Sequence, residues 1–270
     1  VIKKYQLPSK PIYKPSFDGK HFISIDMKQA NFSTLYNFDN TMFDGAKTWE
    51  EYIGRFTERK ELIESKYMRQ RIFGECNPKR QVTYQKYLMC KLLAFLLVGI
   101  PEKDIVFFSH DEIVIDDTEK TYIYPFVEEC INKYNISTNV KMRIERFQLK
   151  HLGEDVGYAK VYDNENRFDL KCVDNDYIPM VFRFIQTGRI LEEDLAFFYK
   201  GTTAKFAKIP DQIQRSKLCS GDIRLLKRCA KCGRLLQTGM NNDICIRCFR
   251  DEMNAKMQKR KMEYINKLLG

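Results

Sequence analysis

Two apolar runs that each end in a carboxylate constrain this chain more than anything else in it. The first is Phe22-Ile23-Ser24-Ile25-Asp26, which continues as Met27-Lys28-Gln29-Ala30-Asn31-Phe32-Ser33. The second is Ile105-Val106-Phe107-Phe108-Ser109-His110-Asp111-Glu112-Ile113-Val114-Ile115. Their β-branched and aromatic residues predict strands, the second being a hairpin over 105–117 that turns at His110-Asp111. Two strand ends of this kind, placed side by side, offer the oxygen ligands that hold a pair of divalent cations. Asp26 and Asp111 are then the Mg²⁺ ligands, Glu112 an outer or alternate ligand, and His110 a neighbouring polar group. Taken alone, His110-Asp111-Glu112 reads as an ordinary solvated hairpin turn.

The residues between and after these runs give an order of elements. Thr48 and Glu51 have capping-box spacing, and helices are predicted over 48–73, broken at Gly54, and over 79–98, stopped by Gly99-Ile100-Pro101. A helix over 121–134 and a strand over 140–147 follow. The stretch 140–186 reads as a β-meander with a third run over 177–185, and 191–199 as a helix. The fold class expected is α+β: an antiparallel sheet with helices on one face, a β-rich extension and a small zinc ribbon. The segments are an extended arm over 1–20, a main domain over 21–160, the extension over 161–204, a basic linker over 205–224, the ribbon over 225–250 and a basic helix over 251–270.

In this order, the motifs resemble the palm domain of family A DNA polymerases and of the single-subunit phage-type RNA polymerases. His110-Asp111-Glu112 is similar to the third palm motif, and Asp26 with the turn into Asn31-Phe32-Ser33 to the first. Asn77-Pro78-Lys79-Arg80-Gln81 resembles the family's Asn-x-Pro-x-Gln helix start, with Asn77 and Gln81 at the family's offset and the proline one place early. The resemblance covers roughly residues 20–160. It implies template-directed nucleotidyl transfer with Asp26 and Asp111 holding two metal ions, His110 at the primer terminus, and Asn77 and Gln81 on the duplex, with Lys79 and Arg80 near the template. The sequence departs from the family at Asn31 and Ser33, where a Glu and an Arg are usual, and in a short fingers region. There only Lys66-Tyr67 and Arg71 stand in for the nucleotide-binding helix. The alternative is a catalytically silent palm reused as a zinc-containing nucleic-acid-binding or structural subunit of a larger complex. A two-metal nuclease is a third reading.

Charge is uneven. The chain carries 46 Lys and Arg against 36 Asp and Glu, a net of +10. Residues 205–270 hold 16 basic and 6 acidic residues, also a net of +10, so residues 1–204 balance at zero. A basic block on a neutral body suits a phosphate backbone, DNA or RNA; a solvated tail is the plainer reading. Within the block, Cys229-Ala230-Lys231-Cys232 and Cys245-Ile246-Arg247-Cys248 supply four thiolates for one structural Zn²⁺ with no open coordination position. Arg228, Lys231, Arg234, Arg247 and Arg250 surround the ligands, which suits nucleic acid; docking on another protein subunit is the equal alternative. Cys76, Cys90, Cys130, Cys172 and Cys219 read as reduced core thiols.

No run reaches membrane-spanning length. The longest, 87–100, contains Lys91 and suits a buried helix. The first residues lack a signal-peptide layout, which points to an intracellular, reducing compartment such as cytoplasm or nucleus, and the missing initiator Met points to a trimmed start. The Lys-, Asn-, Tyr- and Ile-rich composition suits a virus-encoded or parasite protein.

Overall fold

The structure is a computed structural model that describes residues 7–75, 78–120, 122–138, 140–163, 167–217, 225–226, 228–234, 236 and 243–269. The fold is mixed α+β, as expected, with an antiparallel sheet of six strands and a four-cysteine cluster near the C-terminus. The chain divides into two compact units, Val1–Lys150 with Lys160–Asp169, and His151–Ala159 with Leu170–Gly270.

The elements run in the order β1 (His21–Met27), α1 (Ala30–Phe38), α2 (Trp49–Ile53), α3 (Lys60–Ile63), α4 (Lys66–Gly74), α5 (Pro78–Leu96), β2 (Ile105–Phe108) and β3 (Glu112–Asp116). Then come α6 (Ile123–Thr138), β4 (Met142–Gly153), β5 (Gly157–Tyr162) and β6 (Phe168–Lys171). Sheet order is β2-β3-β1-β4-β5-β6, so the first strand in sequence lies in the middle. Alternation along β1 sends Ile23, Ile25 and Met27 to one face, where they join Ile113 and Ile115 of β3. Leu88, Met89, Leu92, Leu93 and Leu96 of α5 and Ile123, Val127 and Ile131 of α6 cover that face. Just past the end of α5 at Leu96, position 99 has room only for glycine: a Cβ there would sit 2.6 Å from the Phe126 ring. The opposite face begins apolar, where Phe22 packs on Phe17 and Phe147. It becomes polar at Ser24 and Asp26.

A second core of Phe32, Phe43, Ala46, Trp49 and Phe73 ties α1, α2 and α4 together. Thr48 caps α2 by accepting from Glu51 N–H at 3.1 Å, while Glu51 accepts from Lys47 N–H at 2.8 Å, bearing out the capping signal. The predicted helix over 48–73 is instead three short ones. The break extends past Gly54, since Trp49 Nε1 donates to the Ile63 carbonyl at 2.7 Å and folds α3 back over it.

In the second unit the elements are α7 (Ile178–Thr187), β7 (Ile190–Leu191), β8 (Ala196–Tyr199), β9 (Thr202–Lys205), α8 (Asp211–Gln214), β10 (Leu225–Leu226) and α9 (Ile246–Leu269). Two expectations are corrected here. Residues 177–185 form α7, not a strand. The apolar run has β composition, but its buried residues Met180, Val181 and Phe184 follow the helical period. The start at Pro179 and stop at Gly188, with φ 65°, are helix punctuation. Residues 191–199 form a 3₁₀ turn and β8, not a helix. Asp194 accepts from Leu191 N–H at 2.9 Å and closes the turn, and β8 pairs with β9 across Lys200-Gly201 at φ 45° and 87°, a left-handed pair suited to a tight hairpin. Cys130 is buried and Cys90 half-buried, whereas Cys172 is exposed and so is no core thiol. Cys76 and Cys219 lie outside the described residues.

Leu92 is fully buried between sheet and helix, while Val98 is 83% exposed on the same segment. Leu92→Ala is expected to cost about 2–5 kcal/mol in chemical denaturation, and Val98→Ala to stay within about 0.5 kcal/mol.

Candidate functional site

The polar end of the open sheet face is where the two carboxylate-tipped runs meet. In the ladder Asp26 lies directly opposite Glu112 of β3 on one side and Arg143 of β4 on the other. Their side chains therefore share a face. The β2–β3 turn is closed by Ser109. Its hydroxyl accepts from Glu112 N–H at 2.9 Å and donates to Asp111 Oδ1 at 2.8 Å, and its own N–H donates to the Glu112 carbonyl. Met27 N–H then donates to the Asp111 carbonyl at 2.8 Å, pinning the turn to the end of β1. Asp26 and Asp111 both line a cavity of about 560 Å³, with His110 and Arg143 beside them. His110 Nε2 lies 3.7 Å from Asp111 Oδ1.

The carboxylates are not equivalent. Glu112 has partners of its own, its Oε1 accepting from Ser24 at 2.6 Å and lying 3.6 Å from Lys160 Nζ. Asp26 pairs with Arg143 at 3.2 Å. Even so, its pKa is pushed up to about 6, first by burial and then by the negative charges of Glu112, Asp111 and Glu145, against the lowering by Arg143. This carboxylate sits in surroundings that disfavour its own charge.

The far wall of the cavity comes from α4 through Lys66, Arg69 and Gln70. Ser65 caps that helix by accepting from Met68 N–H at 3.1 Å. Glu50 positions the wall, accepting from Gln29 Nε2 at 2.7 Å and lying 3.9 Å from Arg69. Gln29 holds a left-handed backbone, φ 52° and ψ 51°, between Asp26 and α1. For a residue with a Cβ this stores on the order of 1 kcal/mol, the kind of local strain that clusters at working sites. Asn31 also lines the cavity and accepts from the buried Gln85 Nε2 at 3.0 Å.

The remaining expected site residues are placed less uniformly. Lys79 and Arg80 are exposed in the first turn of α5, and Asn77 lies outside the described residues. Gln81 is enclosed, 6% exposed, and its Nε2 has no hydrogen-bond partner among the described residues. Arg71 pairs with Glu75 and does not line the cavity. Sequence reading missed Arg143, Ser109 and Ser24. The strand assignment at 140–147 carried the signal for Arg143: once β4 pairs with β1, register alone brings it to Asp26.

In the second unit, Cys229, Cys232, Cys245 and Cys248 offer sulfurs that all lie within 4.8 Å of one another, with Cys232 and Cys245 at 3.6 Å. Four sulfurs about 2.3 Å from a tetrahedral zinc stand about 3.8 Å apart, so the cluster is compatible with a zinc site. Cys245 N–H donates to Cys229 Sγ at 3.3 Å and holds the Cys229 thiol down to about 6, favouring the thiolate that metal ligation needs. Of the surrounding cations, Arg228 is taken by Glu193 and the Gly233 carbonyl, and Lys231 by Glu252. Arg234, Arg247 and Arg250 are exposed.

No protein-family model matches the chain, and comparison with curated proteins finds no similar sequence. Among the described residues, no helix is long and apolar enough to cross a membrane.

The shifted pKa gives a directional test. Between pH 4 and 6 folded Asp26 keeps a proton that the unfolded chain, at the ordinary 3.8, releases. Its ionisation therefore lowers stability as pH rises through that window and adds nothing further above it. Asp26→Asn is expected to gain on the wild type as pH is raised from 4 to 7 in denaturant titrations. A wild-type-minus-variant difference that stays flat across the window contradicts the assigned environment.

Proposed function

We propose that the cleft performs template-directed nucleotidyl transfer on a palm of the family A polymerase type. The observation that carries this reading is the register. An antiparallel ladder sets Asp26 opposite Glu112, and the Met27–Asp111 backbone bond brings the second carboxylate to the same strand end. Both stand on the open face of a sheet backed by α5 and α6, with Lys66 and Arg69 across the cavity.

The donor set suits hard cations. Asp26 and Asp111 are oxygen ligands; burial first and neighbouring negative charge second raise the Asp26 pKa, and a divalent cation would offset both by favouring the ionised form. Bound there, a pair of Mg²⁺ ions would acidify the attacking 3′-hydroxyl and neutralise the departing diphosphate. The chain's own residues do the rest. Asp26 and Asp111 hold the cations, with Ser109 fixing the rotamer of Asp111. Lys66 and Arg69 take the negative charge of a triphosphate, and His110 faces the primer terminus. Asn31, fixed by Gln85, borders the sugar. Arg143 occupies Asp26 until a cation displaces it.

The same ion pair favours a second reading. A palm whose Asp26 is neutralised by Arg143, and whose Glu112 is spent on Ser24 and Lys160, suits a silent scaffold. Its working parts would be the basic C-terminal region and the cysteine module, on nucleic acid or within a larger assembly. In either reading Cys229, Cys232, Cys245 and Cys248 bind one structural Zn²⁺, with Arg234, Arg247 and Arg250 as the cations left for a phosphate backbone.

Primer extension with dNTPs and with NTPs, in Mg²⁺ and in Mn²⁺, separates the two. Extension that Asp26→Ala and Asp111→Ala each reduce by at least about a thousandfold supports transfer. No extension by the folded, zinc-loaded protein supports the scaffold. Metal analysis is expected to find one zinc per chain, lost in Cys248→Ser and kept in Cys130→Ser.

A further inference from the structure

A second cavity, about 930 Å³, adjoins the carboxylate cleft and shares Lys28 and Gln29 with it. Its wall carries three ammonium groups, Lys28, Lys47 and Lys141, all exposed and none with an acidic partner among the described residues. Exposed lysines with no acidic partner among the described residues occur elsewhere on the chain, Lys10 and Lys103 for example; what sets these three apart is that they line one cavity together. The single acid on the wall, Glu50, is already engaged by Gln29 and Arg69.

The placement of two of these lysines is forced. Lys28 N–H donates to the Lys141 carbonyl at 2.9 Å, one step beyond the Met27–Met142 pair of the ladder. Two like charges set side by side at adjoining strand ends disfavour each other, and an anion bound between them would relieve that. The aromatic residues argue for a small anion over a nucleic-acid strand. Phe32 is 4% exposed, and Tyr36 packs on Phe32 and Phe43, so neither ring is displayed as a stacking platform. The wall holds ammonium groups and no guanidinium, while Arg69 and Arg143 line the neighbouring cleft. Compact point charges grip phosphate without the geometric lock of an arginine fork, which suits transit more than retention.

We propose that this cavity is a polyphosphate-binding antechamber, in which Lys28, Lys47 and Lys141 hold the triphosphate of an arriving nucleotide or the diphosphate that leaves. The link to nucleotides rests on the nucleotidyl-transfer reading of the adjoining cleft; the anion site does not.

Calorimetric titration of the full chain with inorganic tripolyphosphate and with pyrophosphate, at low salt and without divalent metal, tests it. Lys47→Gln/Lys141→Gln, which alters the second cavity alone, is expected to weaken binding about tenfold or more, whereas Lys103→Gln/Lys150→Gln, an equal loss of charge outside both cavities, stays within about twofold. Tighter tripolyphosphate marks the arriving nucleotide as the occupant, and tighter pyrophosphate the leaving group. No binding by the wild type, or loss confined to Lys66→Gln/Arg69→Gln, overturns the assignment. A single-stranded oligonucleotide that needs Lys47 and Lys141 but is not displaced by tripolyphosphate overturns it in favour of a strand groove. Anion binding by a chain that extends no primer keeps the site and severs its link to nucleotidyl transfer.

Discussion

The pairing of β1 with β3 and β4 is the constraint on which the first unit depends. Because β1 is central, its alternation settles two things together. Ile23, Ile25 and Met27 are committed to the core under α5 and α6, and Ser24 and Asp26 to the other face. A slip of one residue would bury Asp26 among leucines and expose the isoleucines, a change no local adjustment could absorb. The hydrophobic core thus fixes where the carboxylate stands. The backbone bond from Met27 to Asp111 then sets the second acid beside it.

The cleft wall is secured separately. Trp49, Phe43 and Phe73 form a compact aromatic core that carries α4, so Lys66 and Arg69 face the carboxylates from a packed element and not a loose loop. Glu50 couples the two sides by holding both Gln29, next to the strand end, and Arg69 on the helix. The strained Gln29 backbone sits at this joint. Few ions are shared out evenly. Arg143 covers Asp26, Lys160 covers Glu112, and three lysines are left over in the adjoining cavity. Carboxylates in one cavity and lysines in the next place opposite fields side by side.

Much of the fold was legible because periodicity and punctuation agreed. The Asp26 strand, the hairpin around His110-Asp111, the long helix that stops short of Gly99 and the Thr48–Glu51 cap all follow from local rules, and all are present. The four-cysteine spacing was equally readable, since thiolate geometry needs little tertiary context. The misreadings fall where local composition and tertiary placement diverge. The aromatic run at 177–185 has strand composition but helix punctuation, and the punctuation prevailed. The acidic run at 191–195 has helix composition, but Asp194 is spent on the Leu191 N–H and on Arg183. The cleft was half legible. Asp26 and Asp111 announce themselves as strand ends, whereas Arg143 becomes visible only once β4 is paired in register. The enclosure of Gln81 depends on how α5 packs, which no spacing rule reveals.

The central claim is that Asp26 and Asp111 form one cation-binding centre. Electron paramagnetic resonance of Mn²⁺ bound to the chain in the presence of a nucleoside triphosphate tests it most directly. Two bound, spin-coupled Mn²⁺ ions are expected, as for a separation of about 3.5–4 Å, with the coupled signal lost in both Asp26→Asn and Asp111→Asn. Mn²⁺ that binds singly, or that binds unchanged when either carboxylate is removed, would contradict it.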